Sequence, residues 1–208
     1  MYVHVKVAVI YHSVTAQVCR LALAATDGAW DAGGEVRVRR LGQLAPLGEM
    51  HLRPEWVDVL RDTECLPEAS PADLEWADVA LFGAATPYGA ALDRLTQFID
   101  ATVPLWRAGK LAEKVYGAFT PAATVHGGPN GRLVSLADVF HHWGGIVVSL
   151  RPCDPISRQI GEPDGTTLLA RRGAPLAAEL AAARSQGRRA TETARALKAG
   201  RRLLAEVA

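Results

Sequence analysis

Two periodicities alternate along this chain, and together they predict the order of its elements. Residues 3–10 are almost continuously apolar and β-branched, the pattern of a strand covered on both faces. Residues 14–32 follow with helical spacing, and Gly33-Gly34 supplies the stop. Residues 35–41 alternate valine with charged side chains, which predicts a second, less buried strand. Residues 42–72 carry glycine, proline and acidic residues and read as a long connection, with a short helix expected at 54–60. Further strands are predicted at 78–82, 115–119 and 146–150. Helices are predicted at 90–102, with Leu92, Leu95, Phe98 and Ile99 near one face, and at 130–143. Residues 152–173 read as loop, and 175–206 as one or two helices broken near Gln186-Gly187. Strands alternating with helices imply a parallel, doubly wound α/β sheet. Neither an internal repeat nor a dividing linker is evident, so a single domain over 1–208 is expected.

Three loops follow predicted strands and share a composition. They are Tyr11-His12-Ser13-Val14-Thr15-Ala16-Gln17, Gly83-Ala84-Ala85-Thr86-Pro87-Tyr88-Gly89, and Thr120-Pro121-Ala122-Ala123-Thr124-Val125-His126-Gly127-Gly128. In an open α/β sheet, ligands bind outside the carboxyl ends of the strands. Small and hydroxylic residues at three such ends suggest one cofactor held largely by backbone. The first loop also opens a helix, whose unpaired N–H groups and dipole favour an anion such as phosphate.

Size and charge narrow the field. The chain has 208 residues, enough for one domain with a substantial core. A net charge of +1 gives no electrostatic case for nucleic acid or an anionic membrane surface. No apolar run approaches the roughly 18 residues of a membrane span, and the N-terminus has no signal-peptide pattern. Cys19, Cys65 and Cys153 are widely spaced and odd in number, so free thiols in a reducing cytoplasm are expected rather than disulfides or a metal site. The first loop has neither Gly-x-Gly-x-x-Gly nor Gly-x-x-x-x-Gly-Lys, and Ser13 has no Gly-x-Ser-x-Gly elbow. A tightly held dinucleotide, an NTPase and a serine hydrolase are therefore disfavoured.

Several segments, in order and at consistent spacing, carry a family resemblance. They are Val7-Ala8-Val9-Ile10-Tyr11-His12-Ser13, Ala77-Asp78-Val79-Ala80-Leu81-Phe82-Gly83, Tyr88-Gly89 with Gln97-Phe98-Ile99-Asp100, Leu105-Trp106 with Gly109-Lys110-Leu111, Phe119-Thr120, His126-Gly127-Gly128 and His142-Trp143-Gly144. The chain resembles the flavodoxin-like NAD(P)H:quinone oxidoreductases of the tryptophan-repressor-binding-protein (WrbA) type over most of its length. The resemblance implies a flavodoxin-like five-stranded parallel sheet in the order 2-1-3-4-5. It also implies FMN as cofactor, NADH or NADPH as substrate, a quinone as the second substrate, and a homo-oligomer, usually a tetramer. Ser13, Val14, Thr15, Ala16, Gln17 and Val18 would hold the FMN phosphate. Thr86, Pro87, Tyr88 and Gly89, with Thr120, Pro121, Ala122, Ala123, Thr124, His126 and Gly127, would cradle the isoalloxazine. Tyr88, Trp106 and His142 would line the cleft over the exposed flavin face, with the tryptophan coming from a neighbouring subunit.

Each of these residues also has a plainer reading. Ser13 and Thr15 suit a helix cap as well as a phosphate. Trp106 suits interface packing, where tryptophan is enriched. His142 suits a structural position at a helix end, and Tyr88 a surface rim. Ala16 stands where the family usually has glycine, and Ala90 where it often has asparagine. Residues 154–165 lack the family's Gly-Gly-x-Pro-Tyr-Gly-like stretch. These departures leave open a second reading, a flavodoxin-like protein with weakened or lost flavin binding that serves as an electron carrier or interaction module. No His, Cys and carboxylate set has metal-ligand spacing, so no metal is expected.

Overall fold

A computed structural model of the chain describes residues 3–12, 16–42, 65–84, 90–122, 129–150, 166–169 and 177–207. Its central strand is β1 (Val5–His12), in which every residue but Lys6 is buried. That agrees with the unbroken apolar run. Helix α1 (Ala16–Asp31) follows and ends where Gly33 adopts φ +72°, a left-handed conformation that costs glycine little. Strand β2 (Gly34–Arg40) is mostly half-buried, as its alternating pattern predicts for a sheet edge.

The chain continues through α2 (Pro71–Trp76), β3 (Val79–Ala84), α3 (Ala90–Ala101), α4 (Val103–Arg107), β4 (Val115–Ala122), α5 (Pro129–His142), β5 (Ile146–Val147), β6 (Thr166–Leu169) and α6 (Ala177–Val207). All pairings are parallel and the order is β2-β1-β3-β4-β5, the 2-1-3-4-5 order of the flavodoxin-like fold. Strand β1 alternates between two cores. Val5, Val7, Val9 and Tyr11 pack with α1 and α6, whereas Ala8 and Ile10 pack with α2, α3 and α5. The second core holds an aromatic cluster of Phe82, Phe98, Tyr116, Phe140 and Trp143.

Several expectations are corrected. The fifth strand position is filled twice: β5 pairs with Val115 and Tyr116, and β6 with residues 119–122 of the same strand. The expected strand at 146–150 is therefore shorter, and the expected loop at 152–173 contains a strand. The ladder continues to Val148, whose N–H donates to the Tyr116 carbonyl at 2.8 Å. Pro152 then stands in the sequence, where proline has no N–H for a ladder. Pairing resumes at the β-branched Thr166-Thr167. Helix α2 begins just inside the expected connection. The N–H and hydroxyl of Ser70 both donate to the Asp73 carboxylate at 3.0 Å, and Pro71 opens the first turn. The short helix α4 was also not expected. The helix expected at 54–60 lies outside the described residues.

Helix α6 runs unbroken through Gly187, the single-helix form of the two expected for this segment. The reason is contact between helices. A β-carbon at Gly187 would collide with the Ala25 carbonyl of α1, and one at Gly28 would collide with the Arg184 carbonyl of α6. The two glycines let the backbones touch, and they serve packing rather than breakage. Gly187→Ala should therefore lower stability by about 1–3 kcal/mol through overpacking. Gly200→Ala, in the same helix where a β-carbon meets nothing within 4 Å, should raise it by roughly 0.5–1 kcal/mol. Urea denaturation of the two variants beside the parent checks both signs.

Candidate functional site

The fold brings the ends of the three strands that precede the predicted loops to one edge of the sheet. His12, the last residue of β1, stands in register with Ala84, the last residue of β3. Gly83 stands in register with Phe119 of β4. The carboxyl ends of these three strands therefore lie side by side. The N-terminus of the 16-residue helix α1 opens beside the first of them. Buried Tyr11 fixes that junction, its hydroxyl donating to the Cys19 sulfur at 3.5 Å across the loop.

Of the expected phosphate residues, Ala16, Gln17 and Val18 form the first turn of α1. The Val18 side chain is fully buried in the core, so it would offer backbone alone to a ligand. Of the third predicted loop, Thr120, Pro121 and Ala122 still belong to β4, in register with Thr167, Leu168 and Leu169 of β6. Thr120 is buried there. Ser13, Val14, Thr15, Thr86, Pro87, Tyr88, Gly89, Ala123, Thr124, His126 and Gly127 lie outside the described residues.

Trp106 and His142 occur together, but at the other edge. Their rings stack with centroids 5.1 Å apart and 23° between planes, and the indole N–H donates to the His142 carbonyl at 3.2 Å. Both are solvent-facing, with Trp106 40% exposed. Helices α3 and α5 each run back from the carboxyl edge, so α4 and the end of α5 sit near the starts of β4 and β5. The contacts agree: the Glu113 N–H donates to the Gly144 carbonyl, and the Ile146 N–H to the Lys114 carbonyl, each at 2.8 Å. At about 3.3 Å per residue, the length of β4 puts roughly 20–25 Å between this pair and the strand ends. Within one chain the pair does not reach the carboxyl edge.

One residue at the carboxyl edge had no role assigned from sequence. His12 is 5% exposed, and its Nδ1 is buried with no hydrogen-bond partner. It points to the same face of β1 as Ile10, toward α3. Burial, and then the charge of Arg94 on that helix, hold its pKa below the ordinary 6.5. The sequence clue was position alone: a polar residue at the end of an apolar strand, within the first loop pattern.

These features fit an anionic cofactor. A helix N-terminus beside a strand end offers N–H donors, and three strand ends converge there. Among the described residues no group of His, Cys, Asp and Glu has the geometry to hold a metal ion. No described helix is long and apolar enough to cross a membrane. Cys19 and Cys65 are free thiols, as expected.

No family model matches the chain. Three curated proteins resemble it closely, each named NAD(P)H dehydrogenase (quinone). The protein of Deinococcus radiodurans is 34% identical over 90% of this chain and 94% of its own. That of Archaeoglobus fulgidus is 35% identical over 92% and 98%, and that of Methylocella silvestris 36% identical over 93% and 98%. Among solved structures, a WrbA-like flavodoxin from Agrobacterium tumefaciens superposes with a TM-score of 0.62 at 22% identity, covering 92% of this chain and 98% of that one. An archaeal flavodoxin gives 0.59 at 17% identity, covering 91% and 98%. These structures establish the fold.

The burial of His12 has a consequence for the ligand-free protein. The unfolded chain takes up a proton at this residue near pH 6.5, while the folded chain resists it to lower pH. The unfolded state then binds more protons, so stability should fall as pH is lowered through that value. Urea midpoints at pH 7.5 and 5.5 should show this slope in the parent and a shallower one in His12→Leu.

Proposed function

The chain belongs to the NAD(P)H dehydrogenase (quinone) family, and from that premise we propose that it is an FMN-dependent NAD(P)H:quinone oxidoreductase. The observation that carries this reading is likeness at 34–36% identity over at least 90% of both chains to proteins of that name. The converging strand ends add a place for the flavin phosphate at the start of α1. Bound FMN would supply the redox chemistry, the relay of a hydride equivalent from the nicotinamide to the quinone, with the second proton drawn from solvent.

The chain's own residues bind, orient and enclose. Backbone N–H groups from Ser13 to Val18, with the hydroxyls of Ser13 and Thr15, would take the phosphate. Residues Thr86 to Gly89 and Thr120 to Gly127 would flank the ring system, with Tyr88 at its edge. Nicotinamide and quinone are both flat and would use one slot in turn.

Trp106 and His142 would close that slot from a neighbouring copy. Their stacked arrangement presents an aromatic wall, and planar partners stack favourably on such a surface. The His142 imidazole would lie where it can hydrogen-bond a quinone oxygen. A homo-oligomer is then a condition of activity, and a tetramer is the expected form. The free thiols suit a cytoplasmic setting.

Four outcomes test the reading. The apoprotein should turn yellow on FMN titration, be bleached anaerobically by NADH, and recover its colour with a benzoquinone. Thr15→Glu places a carboxylate against the phosphate and should weaken FMN binding more than tenfold in a fluorescence titration, with the fold intact by circular dichroism. Trp106→Ala should keep FMN affinity yet lower kcat/KM for quinone roughly tenfold, since a lost stacking partner costs about 0.5–1.5 kcal/mol beyond lost burial. Light scattering should give a mass that is a multiple of the 22.2 kDa chain.

A further inference from the structure

We propose that α1 carries a self-complementary surface, on which a second copy of this chain docks with its own α1 antiparallel and Arg20 of each copy pairs with Asp27 of the other. The surface lies away from the stacked aromatic pair. Helix α1 covers the first core, whereas α4 and the end of α5 pack on the second through Leu105 and Trp143, on the opposite face of the sheet. The inference therefore goes beyond the function proposed above and does not rest on a flavin.

The first observation is a groove. Helix α1 and the start of α6 leave between them an open groove of about 440 Å³. Leu23, Ala24, Leu180 and Ala181 line it, and Arg20, Asp27 and Arg184 stand at its rim. The second is exposure. Leu23 is 47% and Trp30 70% exposed, although both are large and apolar. A single exposed apolar side chain is ordinary. These two share one stripe of α1, and Leu23 borders the groove. An apolar strip rimmed by polar groups marks a site of interaction. The third is unmatched charge. Arg184 already donates to the Asp31 carboxylate at 2.9 and 2.6 Å. Arg20 and Asp27 are exposed, and neither side chain has an ion-pair partner among the described residues. They cannot satisfy each other. Seven positions on a helix are roughly 10 Å along the axis, beyond the three- and four-residue spacings at which side chains meet.

The order of residues along the stripe identifies the occupant. Arg20, Leu23, Asp27 and Trp30 follow at steps of three, four and three. Let two such helices lie antiparallel about a two-fold axis between positions 23 and 24. Position 20 of one then faces position 27 of the other, and both unmatched charges find opposite partners, twice over. Leu23 of each copy meets Leu23 and Ala24 of the other at the apolar part of the groove. Trp30 extends the contact beyond the ion pair. Such a contact is isologous, the commonest form of association between identical chains. A parallel pair would set Arg20 against Arg20 and Asp27 against Asp27, which like-charge repulsion opposes. One helix and one groove make a contact at the small end of specific interfaces, so association should depend on concentration.

Charge reversal tests the pairing. Arg20→Glu places two carboxylates opposite each other, and Asp27→Arg two guanidinium groups. Each variant alone should weaken association roughly tenfold or more, because symmetry counts each change twice. Mixed one to one, the two variants present opposite charges at both pairs and should associate as tightly as the parent. The double variant should do the same. Sedimentation over a range of micromolar concentrations reads the mass, and circular dichroism checks the fold. Any mass contributed by a contact at Trp106 is common to all these samples. No flavin enters the measurement, so its outcome is separate from that of the FMN titration. Single variants that associate like the parent overturn the proposal, and so does a mixture that stays as dissociated as its components. A parent that sediments as one chain throughout also overturns it and leaves the groove to a different partner. Should a charge variant fail to fold, Leu23→Asp at the axis replaces it: loss of association supports the contact, and association like the parent's overturns it.

Discussion

The contact between α1 and α6 sets the position of nearly everything else. At Gly28 and Gly187 each helix lays its backbone against a carbonyl of the other, Arg184 or Ala25, with no β-carbon between. Such close approach fixes the height and rotation of α1 on the sheet more tightly than interdigitated side chains would. Val18, Leu21, Ala22, Ala25 and Ala29 then fall onto the β1 face of the core. The N-terminus of α1 arrives at the end of β1, where Tyr11 and Cys19 join the two elements. A helix dipole is useful to an anion only if its position is reproducible, and this crossing supplies that.

Strand polarity divides the functional groups between two edges. All pairings in the sheet are parallel, so every strand end that can form a loop cradle lies at one edge. Every helix return lies at the other. The stacked Trp106 and His142 belong to the return side. Under the proposed function, a loop-side flavin and this return-side aromatic wall would meet only across two copies of the chain.

Much of the architecture was legible because parallel strands buried on both faces leave unbroken apolar runs. β1 and β4 were readable on that ground, and the Gly33-Gly34 stop of α1 follows from a conformation few residues tolerate. What escaped notice depended on tertiary contact. Gly187 carries the sequence signal of a helix breaker, yet it sits mid-helix because its missing side chain is filled by a neighbour's backbone. Thr166–Leu169 is too short to stand apart from a loop, and it becomes a strand because the upper half of β4 has an open edge. At the site, the loops were recognisable by their small and hydroxylic residues. His12 was not, because a histidine at a strand end has no distinctive pattern. Its burial and its unmatched nitrogen emerge only once α3 is laid over it. The distance of Trp106 from the loops of its own chain likewise follows from helix direction and not from spacing.

The doubled fifth strand separates two tasks that usually constrain one another. β5 is held by the start of β4 and β6 by its end, so each anchors without reference to the other. Val148 and Leu150, just past β5, remain buried and belong to the first of these two supports. A substitution at Val115 or Tyr116 therefore bears on β5, and one at residues 119–122 bears on β6.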